Sequence, residues 1–193
     1  MSDNLPTILK GCCSGDRSSQ AKLYEMYARK MMGVCLWYSR NREEAEEILQ
    51  DGFLRVFTYI GKFRHDGPLE NWIRKIMVNA ALLRFKSKHP PLTTPVEAVE
   101  VICPDRYSHV YAILEEKELL KIVQSLPPSY QMVFNLHVLE GLKHREIASI
   151  LGISEGTSKS NLFAARAFLQ KLLLSEELDC VTQDRMEYEE KNT

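Results

Sequence analysis

The chain has 193 residues, 45 % hydrophobic and 26 % charged, with a formal net charge of −1; this is ordinary globular composition, enough for one large domain or two small ones. It contains no run of eighteen apolar residues, and "MSDNLPTILKGCC" lacks a basic segment followed by an apolar one. Neither a membrane span nor a secretory signal is read, and the expected location is the cytoplasm. Five cysteines (Cys12, Cys13, Cys35, Cys103, Cys180) include no C-x-x-C pair, which argues against a disulfide framework and a zinc site.

Near-neutrality is an average over blocks of opposite sign. Glu43 to Asp51 has five acids and no bases, whereas Lys62 to His89 has seven bases against two acids, a net of +5. Lys143 to Lys171 has five bases and two acids, a net of +3, and Glu176 to Thr193 has two bases and seven acids, a net of −5. Such blocks suit a protein with a basic surface for a polyanion and a separate acidic docking surface.

Apolar residues recur at helical spacing and no alternating strand pattern is found, so the expected class is all-α. Three helices are predicted in the first half, about Arg17 to Tyr38, Arg42 to Ile60 and Leu69 to Lys88, separated by "NR" and "RHDGP". On the second, Ala45, Ile48, Leu49, Phe53, Val56 and Ile60 form a core stripe. Its other face carries Glu43, Glu47, Gln50, Asp51 and Leu54, an outward leucine in a polar rim, as at the centre of a protein interface. On the third, Trp72, Ile73, Ile76, Ala80 and Leu83 are expected inward, with Trp72 serving packing before base stacking. Lys75, Asn79, Leu82 and Lys86 line a neighbouring stripe, with Arg74 and Phe85 beyond it. Bases interleaved with aromatic and amide side chains suit a strand whose nucleobases are pulled out of the stack.

"HPPLTTPVEAVEVICPDRYS" has four prolines in twenty residues and reads as a linker, assigned to 90–110. It separates a first domain, 5–89, from a second, 111–175, with helices at about Tyr111 to Ser125, Pro128 to Glu140, Lys143 to Leu151 and Ser154 to Leu174. The acidic remainder, 176–193, is expected to be disordered.

"HREIASILGISEGTSKSNL", His144 to Leu162, meets the needs of a helix-turn-helix: Ala148 where the helices cross, Gly152 in a turn of positive φ, Ile153 as an apolar plug and Ser154 as N-cap. At 100° per residue Ser158, Leu162, Ala165, Leu169 and Leu173 face inward. Thr157, Ser160, Ala164 and Ala167 lie opposite, flanked by Lys159 and Asn161. Small residues there let a helix enter a major groove, where Thr157, Lys159, Ser160 and Asn161 reach phosphates and base edges.

The stretch "LPPSYQMVFNLHVLEGLKHREIASILGISEGTSKSNLFAARAFLQKL" resembles region 4 of the extracytoplasmic-function class of bacterial RNA polymerase sigma factors, which reads the minus-thirty-five promoter element. The resemblance implies minus-thirty-five contacts from Thr157, Ser158, Lys159, Ser160, Asn161, Phe163 and Arg166. Asn161 and Ala164 stand where the family commonly has arginine, and Ser158 where it has valine. "EEAEEILQDGFLRVF" resembles sigma region 2.2, which implies docking on the clamp helices of the polymerase largest subunit through Glu47, Gln50, Asp51 and Leu54; Gly52 replaces the usual apolar residue. "FRHDGPLENWIRKIMVNAALLRFKSK" resembles regions 2.3 and 2.4, implying minus-ten recognition and melting through Trp72, Lys75, Asn79 and Lys86. The implied partners are core RNA polymerase, promoter DNA and, as is common in the family, an anti-sigma factor; no cofactor or metal is implied.

The alternative is a one-component helix-turn-helix regulator with a ligand-sensing first domain, which the acidic patch and the basic third helix fit poorly. An enzyme is not read. His65 beside Asp66, and His137 with His144, have no nucleophile or third ligand at recognisable spacing, and no glycine-rich phosphate loop appears.

Overall fold

A computed structural model describes residues 4–90 and 116–190, with side chains of the second stretch described from 118 to 172. Regular structure among these residues is helical: α1 (Leu5–Cys13), α2 (Arg17–Trp37), α3 (Arg42–Tyr59), α4 (Leu69–Lys88), α5 (Glu116–Gln124), α6 (Pro128–Val138), α7 (His144–Leu151) and α8 (Glu155–Glu190), with a 3-10 turn at Ile60–Lys62. The linker assigned to 90–110 lies outside the described residues except for Pro90.

Helix starts follow local chemistry. The Asp16 carboxylate accepts from the Ser19 amide at 2.8 Å and the Asn41 carbonyl oxygen from the Glu44 amide at 2.8 Å, each satisfying an orphan N–H of a first turn. The short α1 was not predicted; it buries Ile8, Leu9 and Cys12. In α3 the expected stripe is buried, from Ala45 to Val56, with Ile60 just beyond the helix.

α4 departs from its expected stripe. Leu82 is 3 % exposed and Leu83 37 %, the reverse of the prediction. Leu69, Ile73, Met77, Val78, Ala80, Ala81 and Leu82 are all buried, an arc of roughly 220° at 100° per residue. The helix is covered by α2 and α3 and also meets the second unit through Arg74. A stripe drawn for one-sided burial is too narrow for a helix covered from two directions.

Gly52 of α3 is buried where α4 crosses it. A Cβ there would stand 2.2 Å from Met77 Sδ, well inside van der Waals contact, so Met77 fills the volume that a side chain at position 52 would occupy.

In the second unit α6 and α7 pack on α8. Gly152 ends α7 at φ 67°, a conformation that a Cβ penalises, and Ser154 Oγ accepts from the Thr157 amide at 2.9 Å as the N-cap of α8. α8 continues to Glu190, into the segment from 176. No glycine or proline follows Gly156, so the backbone has nothing to stop the helix.

The two units are packed together. Trp37, the last residue of α2, joins the apolar cluster of Val123, Leu126 and Ala165, and Met132, Val133 and Leu136 of α6 are continuous with the core of the first unit. Glu140, 1 % exposed, accepts from Arg74 at 2.6 and 2.7 Å and from the Tyr38 hydroxyl at 2.5 Å.

The Gly52 contact is testable. Replacing Gly52 by leucine should lower stability by about 1–3 kcal/mol through overpacking. Adding Met77→Ala should recover part of that loss, giving a favourable coupling in a double-mutant cycle measured by thermal unfolding. Additive losses would mean that the two positions do not share one volume.

Candidate functional site

Three surfaces carry the residues singled out in the sequence. The first is the solvent side of α3. Glu47, Gln50, Asp51 and Leu54 are all exposed, Leu54 at 66 %, while Ile48, Leu49, Phe53 and Val56 beneath them are buried. Their charge is not all unengaged, because the Arg84 guanidinium of α4 pairs with Glu47. Glu44, one turn earlier, takes Lys88 Nζ at 2.5 Å and lies 3.8 Å from Arg84 Nε. Those cations, with the Arg40 amide, hold the Glu44 carboxyl below its usual range against the opposing effect of burial.

The second surface is an open cavity of about 950 Å³ between the end of α3 and the first two turns of α4, lined by residues that include Tyr59, Lys62, Arg64, Asn71, Trp72 and Lys75. Trp72 has both expected roles available: its ring lies 5.6 Å from that of Phe63 against the core, and it also lines the cavity. Asn79 and Lys86 are half-buried further along α4, outside the cavity lining. The expected set of four therefore divides into a cavity pair, Trp72 and Lys75, and a helical extension. Burial lowers the Lys86 ammonium pKa, as desolvation of a cation must. Sequence reasoning treated "RHDGP" as a break and so did not group Tyr59, Lys62, Arg64 and Asn71, which share the cavity lining, with Trp72 and Lys75. The available signal was the aromatic and basic content of "YIGKFR" beside that break.

The third surface is α8. Thr157, Lys159, Ser160, Phe163 and Arg166 are exposed, Asn161 is half-buried, and Leu162 and Ala165 are buried beneath them; Phe163 is 77 % exposed. Ser158 must be removed from the DNA-contact set, because it is 0 % exposed and its hydroxyl lies 3.0 Å from His144 Nδ1. An inward position at the helix crossing leaves it no path to a groove. Its polar group is satisfied by α7 instead, which accounts for a serine where the family has an apolar valine. Lys159 is also partnered, with Nζ 2.7 Å from Glu155 Oε1, and that ion pair lowers the Glu155 carboxyl pKa.

With this geometry in hand, the comparisons with known proteins are specific. Residues 23–89 match the family description "Sigma-70 region 2" and residues 116–169 match "Sigma-70, region 4". The chain is 31 % identical over 167 residues to the ECF RNA polymerase sigma factor SigM of Mycobacterium tuberculosis, covering 86 % of this chain and 83 % of that one. It is 27 % identical to the ECF sigma factor SigW of Bacillus subtilis, covering 86 % and 94 %. Among solved structures it is similar to the sigma factor RpoE of Bartonella quintana, crystallised with the anti-sigma factor NepR, at a TM-score of 0.45 and 21 % identity over 79 % of this chain and 95 % of that one. The chain belongs to the extracytoplasmic-function class of RNA polymerase sigma factors, transcription initiation factors that direct core polymerase to promoters. The one-component regulator is not favoured, since the residues it would use as a sensor are themselves sigma region 2.

The His144–Ser158 contact generates a pH dependence. The His144 ring stacks on His137 at 4.8 Å. Its pKa is lowered from 6.5 by burial, then by His137, Lys159 and Arg166, against an opposing effect of Glu155. A histidine with a depressed folded pKa is charged more readily when unfolded, so stability is present above the unfolded pKa and declines as pH falls through it. The unfolding midpoint should therefore drop as pH is lowered below about 6.5, and His144→Gln should flatten that part of the profile. An unchanged profile in His144→Gln would assign the titration elsewhere.

Proposed function

We propose that this sigma factor docks on the clamp helices of core polymerase through Gln50, Asp51 and Leu54, with Glu47 at the rim. A minus-ten strand is received at the cavity by Trp72 and Lys75 and along α4 by Asn79 and Lys86. The minus-thirty-five element is read by α8 through Thr157, Lys159, Ser160, Asn161, Phe163 and Arg166. It acts in the cytoplasm, by binding and without chemistry of its own; binding energy opens the DNA. An anti-sigma factor is a further expected partner.

The observation that carries the reading is the division of α8. One side is buried, at Ser158, Leu162 and Ala165, and the other presents small, polar and basic residues with an exposed Phe163, as a recognition helix in a major groove requires. The cavity supports the minus-ten assignment in the same way, since Tyr59 and Trp72 offer ring faces and Lys62, Arg64 and Lys75 offer phosphate partners.

Run-off transcription with purified core polymerase on genomic fragments tests the whole reading, which predicts promoter-specific transcripts that appear only when this chain is added. Asp51→Arg, or Leu54→Glu, should weaken core binding by at least about 1–2 kcal/mol, as loss of an interface anchor does. Binding as tight as the parent's in both would remove the α3 face from the mechanism.

Reading and gripping separate on α8. Asn161→Ala should flatten the preference at one or two base positions by about 1–3 kcal/mol. Lys159→Ala should weaken all sequences about equally and lower the slope of log affinity against log salt by at most about one, because Glu155 already neutralises part of that charge. Titrations across single-base variants at several salt concentrations would show a misassigned helix orientation if the two substitutions exchanged effects.

A further inference from the structure

We propose that His144 belongs to the DNA-facing surface of the second unit and takes up a proton when that surface meets a phosphate backbone, so that DNA affinity rises as pH falls. The inference rests on the reading that α8 addresses duplex DNA, and adds to it a titratable contact from α7.

His144 is the first residue of α7 and is half-buried. In a helix-turn-helix the second helix enters the groove while the first crosses the backbone, so the end of α7 that packs on the start of α8 is placed near phosphates. His144 sits at that junction. Its Nδ1 lies 3.0 Å from Oγ of the buried Ser158, whose neighbours Thr157 and Lys159 are exposed on the proposed DNA face. The contact tolerates either charge state. A serine hydroxyl donates to a neutral imidazole nitrogen and accepts from an imidazolium N–H, so charging His144 leaves the helix crossing intact.

A second histidine shares the position. The His137 ring of α6 stacks on that of His144 at 4.8 Å, with the planes 11° apart. His137 Nδ1 lies 2.9 Å from the Leu142 carbonyl oxygen, which only accepts, so Nδ1 carries a proton and any further one goes on Nε2. Two imidazolium rings stacked face to face repel each other, and without an anion the pair resists a second charge.

The surrounding charges act in the same direction. On α7 itself Lys143 and Arg145 are exposed, and the Glu146 carboxylate is turned back to the Lys143 amide at 2.7 Å. From α8 come Lys159, Arg166 and Glu155, the last already paired with Lys159 at 2.7 Å. Glu140, beyond the end of α6, is engaged by Arg74 and Tyr38. Burial, then His137, Lys159 and Arg166, lower the His144 pKa against the opposing effect of Glu155, so the free chain keeps this ring neutral near neutral pH.

A backbone phosphate seated against Lys159 and Arg166 reverses that balance. It brings negative charge to a surface short of it, and an opposite charge at close range shifts a pKa toward the charged form by about one to three units. A rise of about one unit between free and bound states is a tenfold gain in affinity once pH lies below both values. Stability moves the other way over the same range, because the unfolded chain takes the proton more readily than the free folded one. Tighter binding on acidification is therefore no by-product of unfolding.

Fluorescence anisotropy of the full chain on labelled promoter and scrambled duplexes of equal length, between about pH 5 and 8, tests the link. The parent should bind both duplexes about tenfold tighter at the acid end, since a phosphate contact is blind to sequence. His144→Gln, which keeps a partner for Ser158, should give a flat profile, and His144→Lys a flat profile at a tighter level. Calorimetric titration of the parent in two buffers of different ionisation enthalpy should count about one proton taken up per complex, a readout that needs no variant. Parent affinity independent of pH, no proton uptake, or a His144→Gln profile that still rises on acidification would overturn the proposal. Failure to bind either duplex at any pH would defeat the assignment of α8 to DNA as well, whereas binding without proton uptake defeats the role of His144 alone.

Discussion

The constraint on which this architecture depends is that α2 ends inside the molecule. A helix terminus leaves carbonyls without intrahelical donors, and burying them unpaired is costly. Ser39, just past the end of α2, is 0 % exposed, so water is not the partner at that point. The donors are Gln124, Gln131 and Asn135, and supplying them fixes where α5 and α6 lie. Once α6 is seated, Glu140 at its far end meets Arg74, and α8, packed on the other elements of its unit, presents its polar side outward. One backbone requirement thus orders the second unit relative to the first.

The close crossing of α3 and α4 does comparable work within the first unit. With glycine at position 52 and Met77 filling the gap, the helices approach closely enough for Arg84 and Lys88 to reach Glu44 and Glu47. The acidic and basic blocks that looked like separate surfaces in the sequence are therefore partly each other's partners. What stays exposed on the α3 face is narrower, Gln50, Asp51 and Leu54, while Lys62, Arg64 and Lys75 line the cavity on the other side.

The sequence made the helices legible because each has a local cause. Asp16, Asn41, Pro68 and Gly152 start or stop elements where periodicity changes, and predicted and observed boundaries of α2, α3, α4 and α6 agree to within two residues. The start of α8 was legible for the same reason, its inward stripe being set by 3.6-residue spacing. What was not legible depends on long-range contact. The wide buried arc of α4, the internal pairing of Glu47 and the Gly52–Met77 complementarity all require knowing which surfaces meet. Position 158 was read both ways, inward by spacing and DNA-facing by resemblance; its burial against His144 decides for spacing. The cavity was missed because its residues straddle a segment that sequence reasoning treats as a boundary, although loops between rigid helices are where binding groups concentrate.

The ion pairs of this molecule divide by burial into two kinds with different consequences for binding. Lys159–Glu155 and Arg84–Glu47 each have at least one partner more than half exposed, and pairs of that kind contribute only about 0–1 kcal/mol. A competing charged group can replace either partner at little net cost, so prior pairing keeps the surfaces ordered without making them unavailable. The Arg74–Glu140 pair is of the other kind, with side chains 18 % and 1 % exposed. Loosening it by a small distance gains neither hydration nor attraction, because water enters only when the units part. Its contribution therefore rests on the fork geometry and on the Tyr38 hydroxyl rather than on solvent.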